Sequence, residues 1–171
     1  RVLSAVTSGV ADIREILKFA RDELKLYGRK TVLFIDEIHR FNKGQQDALL
    51  PAVEDGTIIL IGATTENPFF EVNGALLSRS RIFRLQALSA DDIYLLLQRC
   101  IDDERGMKEY HAQIDEAALR HWADVCGGDA RTAYNALELA VITTEPGADG
   151  IRHIDLAIAE ESIQQRNVSY D

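Results

Sequence analysis

Thr31-Val32-Leu33-Phe34-Ile35-Asp36-Glu37 is a run of five apolar or β-branched residues that ends in two carboxylates. A strand that is apolar on both of its faces is one covered on both sides, as in a parallel sheet flanked by helices. The carboxyl end of such a strand is where open α/β sheets place their ligands, so Asp36 and Glu37 mark a prospective site. On the amino-terminal side, Val2 to Val6 is a short apolar run closed by Thr7-Ser8-Gly9. Val10, Ile13, Leu17, Ala20 and Leu24 then recur at helical spacing up to Gly28, which gives strand, turn and helix. On the other side, Asn42 with Gln45 has the form of a capping pair opening a helix that carries Leu49, Leu50 and Val53, kinked at Pro51 and stopped at Gly56. Thr57 to Gly62 reads as a second buried strand. A polar loop with Pro68, a short helix through Ala75-Leu76-Leu77 and a strand from Arg81 to Leu85 follow. Strands alternating with helices imply crossover connections, hence an α/β fold on a parallel sheet.

Beyond residue 86 the pattern turns helical. Ser89 with Asp92 forms a second capping box ahead of Ile93, Leu96, Leu97, Cys100 and Ile101; Ala118, Leu119 and Trp122 follow Asp115; Ala133, Leu137, Ala140 and Val141 follow Asp129. Residues 144–152 read as a loop before a last helix around Ile154 to Ile163. The expected organisation is a partial α/β domain over 1–86 and a small all-helical domain over 87–171. The charge divides in the same place. Of 19 basic and 28 acidic residues, 1–86 holds 12 and 11, a balance of +1, and 87–171 holds 7 and 17, a balance of −10. An acidic second half repels phosphate backbones at long range, so nucleic-acid contact would have to come from the first half or from other parts of the protein.

With 171 residues, 46% of them hydrophobic and only 3 prolines, disordered and collagen-like classes are excluded. The longest apolar runs are strand-sized, far short of the roughly 18 to 20 residues that cross a bilayer. Cys100 and Cys126 form no CxxC and have no histidine at ligand spacing, so a reducing, cytosolic compartment is the default expectation. The first residue is Arg1, and the chain is read as a piece of something longer.

Two carboxylates at a strand end suit phosphoryl transfer: one holds Mg²⁺ through water and its neighbour orients or deprotonates an attacking water. The alternative is a solvated Asp-Glu turn. Gly62-Ala63-Thr64-Thr65-Glu66-Asn67 closes the next strand with small polar groups able to reach a terminal phosphate, although Thr and Asn also cap loops. Ser78-Arg79-Ser80-Arg81 carries two guanidinium groups that could act on a neighbouring subunit or simply lie on the surface. Arg131 sits in the first turn of a helix, where the macrodipole disfavours a cation; it serves either an anionic ligand or a salt bridge to Asp124 or Asp129. His39, His111, His121 and His153 share no ligand spacing and are assigned no catalysis, and Met107 and Trp122 read as packing residues.

In this order the motifs resemble the AAA+ ATPases of the clamp-loader-like branch. Leu33 to Glu37 resembles the Walker B strand, Gly62 to Thr65 sensor 1, Ser78-Arg79 the arginine-finger motif and Gly128-Asp129-Ala130-Arg131 sensor 2 of the helical lid. Asp36 to Lys43 with Gln45-Gln46-Asp47, Glu54-Asp55-Gly56-Thr57-Ile58 and Gly62 to Pro68 narrow the likeness to the RarA/MgsA family, relatives of the Werner-helicase-interacting proteins. RuvB-type motors share the DEIHR and GATT strings but have a longer insertion than the 21 residues from Phe41 to Ile61.

The resemblance implies Asp36 for Mg²⁺, Glu37 for activating water, Thr65 for sensing the γ-phosphate, Arg79 (or Arg81) as the finger and Arg131 for coupling the lid to phosphate. It implies a DNA-dependent ATPase that uses ATP and Mg²⁺ as a homo-oligomer in replication-fork maintenance and recombination. The implied partners are forked, gapped or single-stranded DNA, single-stranded-DNA-binding protein and replisome components, in a cytoplasmic, nucleoid-associated setting. None of the 11 glycines belongs to a GxxxxGK[ST] phosphate loop. The likeness therefore implies a partial sheet without its central phosphate-loop strand and without the C-terminal oligomerisation region. Such a piece is expected to be inactive by itself and prone to aggregate, with the strands at Ile58 to Ile61 and Arg81 to Leu85 each lacking an inner neighbour. The competing readings are a RuvB-like branch-migration motor, a non-hydrolysing clamp-loader subunit, and a phosphatase-like or receiver-type α/β domain using Asp36.

Overall fold

The computed structural model describes residues 1–164, which divide into two compact units, Arg1–Phe83 and a second beginning at Arg84. The end of the expected helical domain, 165–171, lies outside the described residues. No helix among those described is long and apolar enough to cross a membrane.

In the first unit, β1 (Val2–Ser4), β2 (Thr31–Asp36) and β3 (Ile58–Gly62) form a parallel sheet in that order. The register sets Val2 beside Phe34 beside Ile61, and Leu3 beside Ile35 beside Gly62. Helix α1 (Val10–Tyr27) makes the first crossover and turns Ile13, Leu17 and Ala20 to the core. It ends at Gly28, whose φ of 65° lets its N–H reach back to the carbonyls of Glu23 and Leu24. The second crossover is two short helices, α2 (Lys43–Asp47) and α3 (Leu50–Glu54), where the sequence predicts one kinked helix. Pro51 in the first turn of α3 has no N–H for the Asp47 carbonyl, so the ladder breaks and restarts. The capping box of Asn42 and Gln45 that opens α2 forms as predicted, with both bonds at 2.9 Å.

Two expectations for this sheet are corrected. The strands are not covered on both faces. Leu33, Ile35, Ile58, Leu49 and Ala52 share one core with α1, whereas Val2, Val32, Ile59 and Ile61 on the opposite face are 74, 45, 48 and 48% exposed. Every helix whose residues join that core packs on the Leu33/Ile35 face, so an apolar run on both sides of the strand meets cover on only one. Residues 81–85 do not form a strand: they have no ladder partner, and Phe83 and Leu85 are 81 and 90% exposed. An extended segment becomes a strand only beside a neighbour that takes up its N–H and C=O groups, and β3, the nearest edge in the predicted order, pairs with β2 alone among the described strands.

The second unit is a bundle of α6 (Ala90–Asp102), α7 (Glu116–Val125), α8 (Ala130–Thr143) and α9 (Leu156–Gln164). Its core runs through Ile93, Leu97, Leu119, Leu137, Val141 and Trp122. Trp122 is fully buried and donates Nε1–H to the Ala159 carbonyl and Ser162 Oγ at 3.1 and 3.0 Å, which is how a buried indole meets its donor requirement. The Ser89–Asp92 capping box opens α6 as predicted. The unit is not purely helical. β4 (Ala112–Ile114) and β5 (Arg152–Ile154) pair in parallel, placing a strand where the sequence reads the end of a loop and the start of a helix. Three-residue strands are too short to display an alternating pattern.

Candidate nucleotide site at the strand ends

β2 ends at Asp36, and the chain then turns through Glu37 into a single 3₁₀ turn, Ile38–Arg40. Glu37 has φ 55° and ψ 42°, a left-handed conformation uncommon for a side chain of its size. That twist redirects the chain so that the Ile38 N–H reaches the Ala63 carbonyl at 3.0 Å, while the Ala63 N–H reaches the Ile35 carbonyl at 2.9 Å. The segments leaving β2 and β3 are thus laced together. Gly62 leaves room for the Ile38 side chain, since a Cβ there would lie 2.9 Å from Ile38 Cδ1 and 3.2 Å from Cγ2.

Asp36 is exposed, and the one hydrogen bond to its carboxylate within the described residues is from the Glu37 N–H at 3.1 Å to Oδ1. Most of its acceptor capacity faces solvent. The Glu37 carboxylate lies 3.3 Å from His39 Nδ1, and that same nitrogen lies 2.8 Å from Thr64 Oγ1. The structure thereby brings Asp36, Glu37, His39 and Thr64 together at the carboxyl ends of β2 and β3, with Thr65 exposed next in chain. Among the described residues no cluster of three or more His, Cys, Asp or Glu could enclose a metal ion. A single open carboxylate still fits a magnesium ion, which keeps much of its water and takes its remaining ligands from substrate phosphates.

Arg79 sits elsewhere in the same unit. It follows the short helix α5 (Gly74–Leu77); its guanidinium donates to the Ala75 carbonyl at 2.8 Å and Ser78 Oγ at 3.0 Å, and it forms an ion pair with Glu54 Oε1 at 2.6 Å. Glu54 closes α3, which leads into the amino end of β3. Five residues of strand, about 16 Å at the usual rise, lie between that end and the Gly62 end. Arg79 is therefore tied to the end of the sheet opposite Asp36 and Glu37. Arg81 is exposed and makes no ion pair within the described residues.

Behind α5, Gln46 is 1% exposed and donates to the carbonyls of Phe41 and Glu71 while accepting from the Asn73 N–H at 2.7 Å. It locks α2 to the loop that carries α4 (Pro68–Glu71) and α5.

Arg131 belongs to the second unit, in the first turn of α8. The Asp129 carboxylate is occupied by the Arg131 N–H at 2.9 Å and the Thr132 hydroxyl, and the Thr132 contact holds it below the usual carboxylate range. The Arg131 side chain forms no ion pair with Asp124 or Asp129. Gly128, at φ 84°, approaches the backbone so closely that a Cβ would meet the Leu88 carbonyl oxygen at 2.6 Å, which fixes how the Gly-Asp-Ala-Arg turn enters α8. His39, Gln46 and Glu54 make contacts across elements that no motif or spacing in the sequence predicts.

Residues 2–89 match the model of the ATPase family associated with various cellular activities (AAA), and 108–171 match an AAA C-terminal domain. The chain belongs to the AAA ATPase family. It is 46% identical over its whole length to the replication-associated recombination protein A of Bacillus subtilis, covering 40% of that protein. With the Escherichia coli K12 protein of the same name it is 45% identical over 99% of the chain, covering 38%. An ATPase WRNIP1 from Dictyostelium discoideum is 51% identical over 81% of the chain, which covers 16% of it. The chain thus spans about two fifths of the length of the bacterial relatives. A RuvB mutant from Thermotoga maritima superimposes with a TM-score of 0.72 at 23% identity, covering 99% of this chain and 54% of that one, and shares the fold. The expected likeness to the RarA family is borne out by these identities, and an AAA α/β core followed by a helical unit is the fold observed.

Proposed function

We propose that this chain is the central part of an ATP-hydrolysing AAA protein that works on DNA at replication forks and in recombination. The observation that carries the reading is the open Asp36 carboxylate beside a Glu37 turned by a left-handed backbone toward the Thr64-Thr65 segment. That is a strand-end arrangement suited to a cation and an attacking water. The names of the bacterial relatives, replication-associated recombination protein A, support the biological setting. Bound ATP with Mg²⁺ would supply the phosphorus centre and the charge that the chemistry needs.

Asp36 would hold the cation through its waters, and Glu37 would take a proton from the attacking water onto a carboxylate oxygen. The Thr65 hydroxyl would donate to the γ-phosphate, and Arg131 would bring a cation from the helical unit. Arg79, tied to the far end of its own sheet, is suited to the site of a neighbouring subunit, which supports homo-oligomeric assembly. Single-stranded-DNA-binding protein and replisome components are the partners this reading calls for, with DNA contacts outside the acidic helical unit.

The test is ATP turnover by the full-length protein with gapped, forked and duplex DNA; turnover indifferent to every DNA tested would sink the DNA-dependent reading. Residues 1–171 purified alone, lacking a phosphate loop, are expected to show no turnover and to self-associate through the exposed Val2, Val32, Ile59 and Ile61 face. Sustained ATP hydrolysis by that chain, abolished in Glu37→Gln, would refute this.

Glu54→Gln in the full-length protein tests the tether on Arg79. The pair is half exposed, and such pairs are worth only about 0.2–1 kcal/mol, so its removal should raise the hydrolysis rate by at most about fivefold. A tenfold fall would mean that Glu54 has a role other than restraint.

A further inference from the structure

His39 stands two residues beyond Glu37 on the Ile38–Arg40 turn, with its side chain 10% exposed. Its Nδ1 has two partners, the Thr64 hydroxyl oxygen at 2.8 Å and the Glu37 carboxylate at 3.3 Å. A ring nitrogen carries either a lone pair or a proton. A lone pair there would accept from the Thr64 hydroxyl but would face the carboxylate with no attraction. A proton there lets Nδ1–H donate to the Thr64 oxygen and sets its positive end 3.3 Å from the carboxylate, a charge contact rather than an aligned hydrogen bond, and this arrangement suits all three groups. Thr64 tolerates it, because its hydroxyl oxygen also accepts the Glu66 N–H at 3.1 Å and keeps its own proton free. The two strand ends are meanwhile held in register by the Ile38–Ala63 and Ala63–Ile35 backbone bonds.

We infer that His39 is a positioning residue, whose Nδ1–H holds the Glu37 carboxylate against the Thr64-Thr65 segment so that the base and the phosphate-facing hydroxyl keep one geometry. The inference rests on the role proposed for Glu37. A glutamate has three side-chain torsions, and on a left-handed backbone its carboxylate has no polar side-chain contact within the described residues other than His39 Nδ1. Without His39 it would sample orientations from which an attacking water could not be deprotonated in line. The effect belongs to the chemical step and leaves nucleotide affinity alone, since His39 faces the base from its protein side.

The experiment uses the full-length protein, with steady-state hydrolysis and binding of a fluorescent ATP analogue measured for each variant. His39→Leu is expected to lower kcat about ten- to a hundredfold, with KM and nucleotide affinity within about twofold of the parent. His39→Asn places an amide donor near the Nδ1 position and should return kcat to within about threefold of the parent, whereas His39→Gln, whose amide reaches the Nε2 position, should not. Thermal unfolding of each variant separates these effects from loss of fold, and the Asn and Gln pair decides the matter if the leucine variant does not fold. Unchanged kcat in His39→Leu, equal rates in the Asn and Gln variants, or a rise in KM at constant kcat would overturn the inference. Turnover lost in Glu37→Gln but kept in His39→Leu overturns this inference alone, while turnover kept in Glu37→Gln removes the proposed function beneath it.

Discussion

Glu37→Gln in the full-length protein is expected to lower ATP turnover by about a hundred- to ten-thousandfold, the range over which a positioned general base contributes. Nucleotide binding should survive. Glutamine has the shape of glutamate and tolerates the same φ of 55°, so the turn that follows β2 should keep its form. The amide cannot take a proton from water at neutral pH, and that is the property removed. Asp36→Asn should behave differently, weakening the magnesium dependence of binding as well as the rate, because a neutral amide is a poor outer ligand for a hard cation. A fluorescent ATP analogue titrated with and without Mg²⁺ separates the two variants. If Glu37→Gln turns over ATP within about threefold of the parent, Glu37 is not the base.

Arg79→Ala is the second large effect, a loss of about 10³–10⁵ in turnover if its guanidinium stabilises the transferring phosphoryl group. The geometry adds a sharper expectation. Arg79 is bound to Glu54 near the amino end of β3, while Asp36 and Glu37 lie at the carboxyl ends of the strands, so the proposed roles assign them to different nucleotides. Mixing Arg79→Ala with Glu37→Gln protein should therefore restore part of the activity that each lacks, since some interfaces then pair an intact Glu37 with an intact Arg79. Arg81→Ala should leave the rate nearly unchanged. Failure of the mixture to recover, with subunit exchange verified by labelled subunits, would place Arg79 in its own subunit's site; loss in Arg81→Ala alone would move the finger to Arg81.

Much of the architecture was legible because it rests on local chemistry. The capping boxes at Asn42 and Ser89, the αL stop at Gly28 and the order of strand and helix each depend on residues within one turn of one another. The segment 81–85 failed for the opposite reason. Its apolar pattern suits a strand, but a strand needs a neighbour's hydrogen-bonding groups, and pattern does not report whether that neighbour is there. The bare face of the sheet is the same lesson: Val32 and Phe34 alternate with Leu33 and Ile35, and nothing in their identity tells which side meets α1.

The site was legible as a set of residue types and much less as a set of contacts. Asp36, Glu37 and the two threonines stood out because they follow apolar strands, and the chain order alone puts them at the carboxyl ends of a parallel sheet. That His39 returns to Glu37 and Thr64, that Gln46 locks the loop bearing α5, and that Glu54 ties Arg79 to the other end of the sheet were decided by the fold alone. Each of the last two joins residues 25 positions apart in the chain, as Thr64 and His39 also are. A side chain's spacing within one element is set by the helical or strand repeat; which carboxylate, amide or hydroxyl it meets across elements is set by how those elements pack.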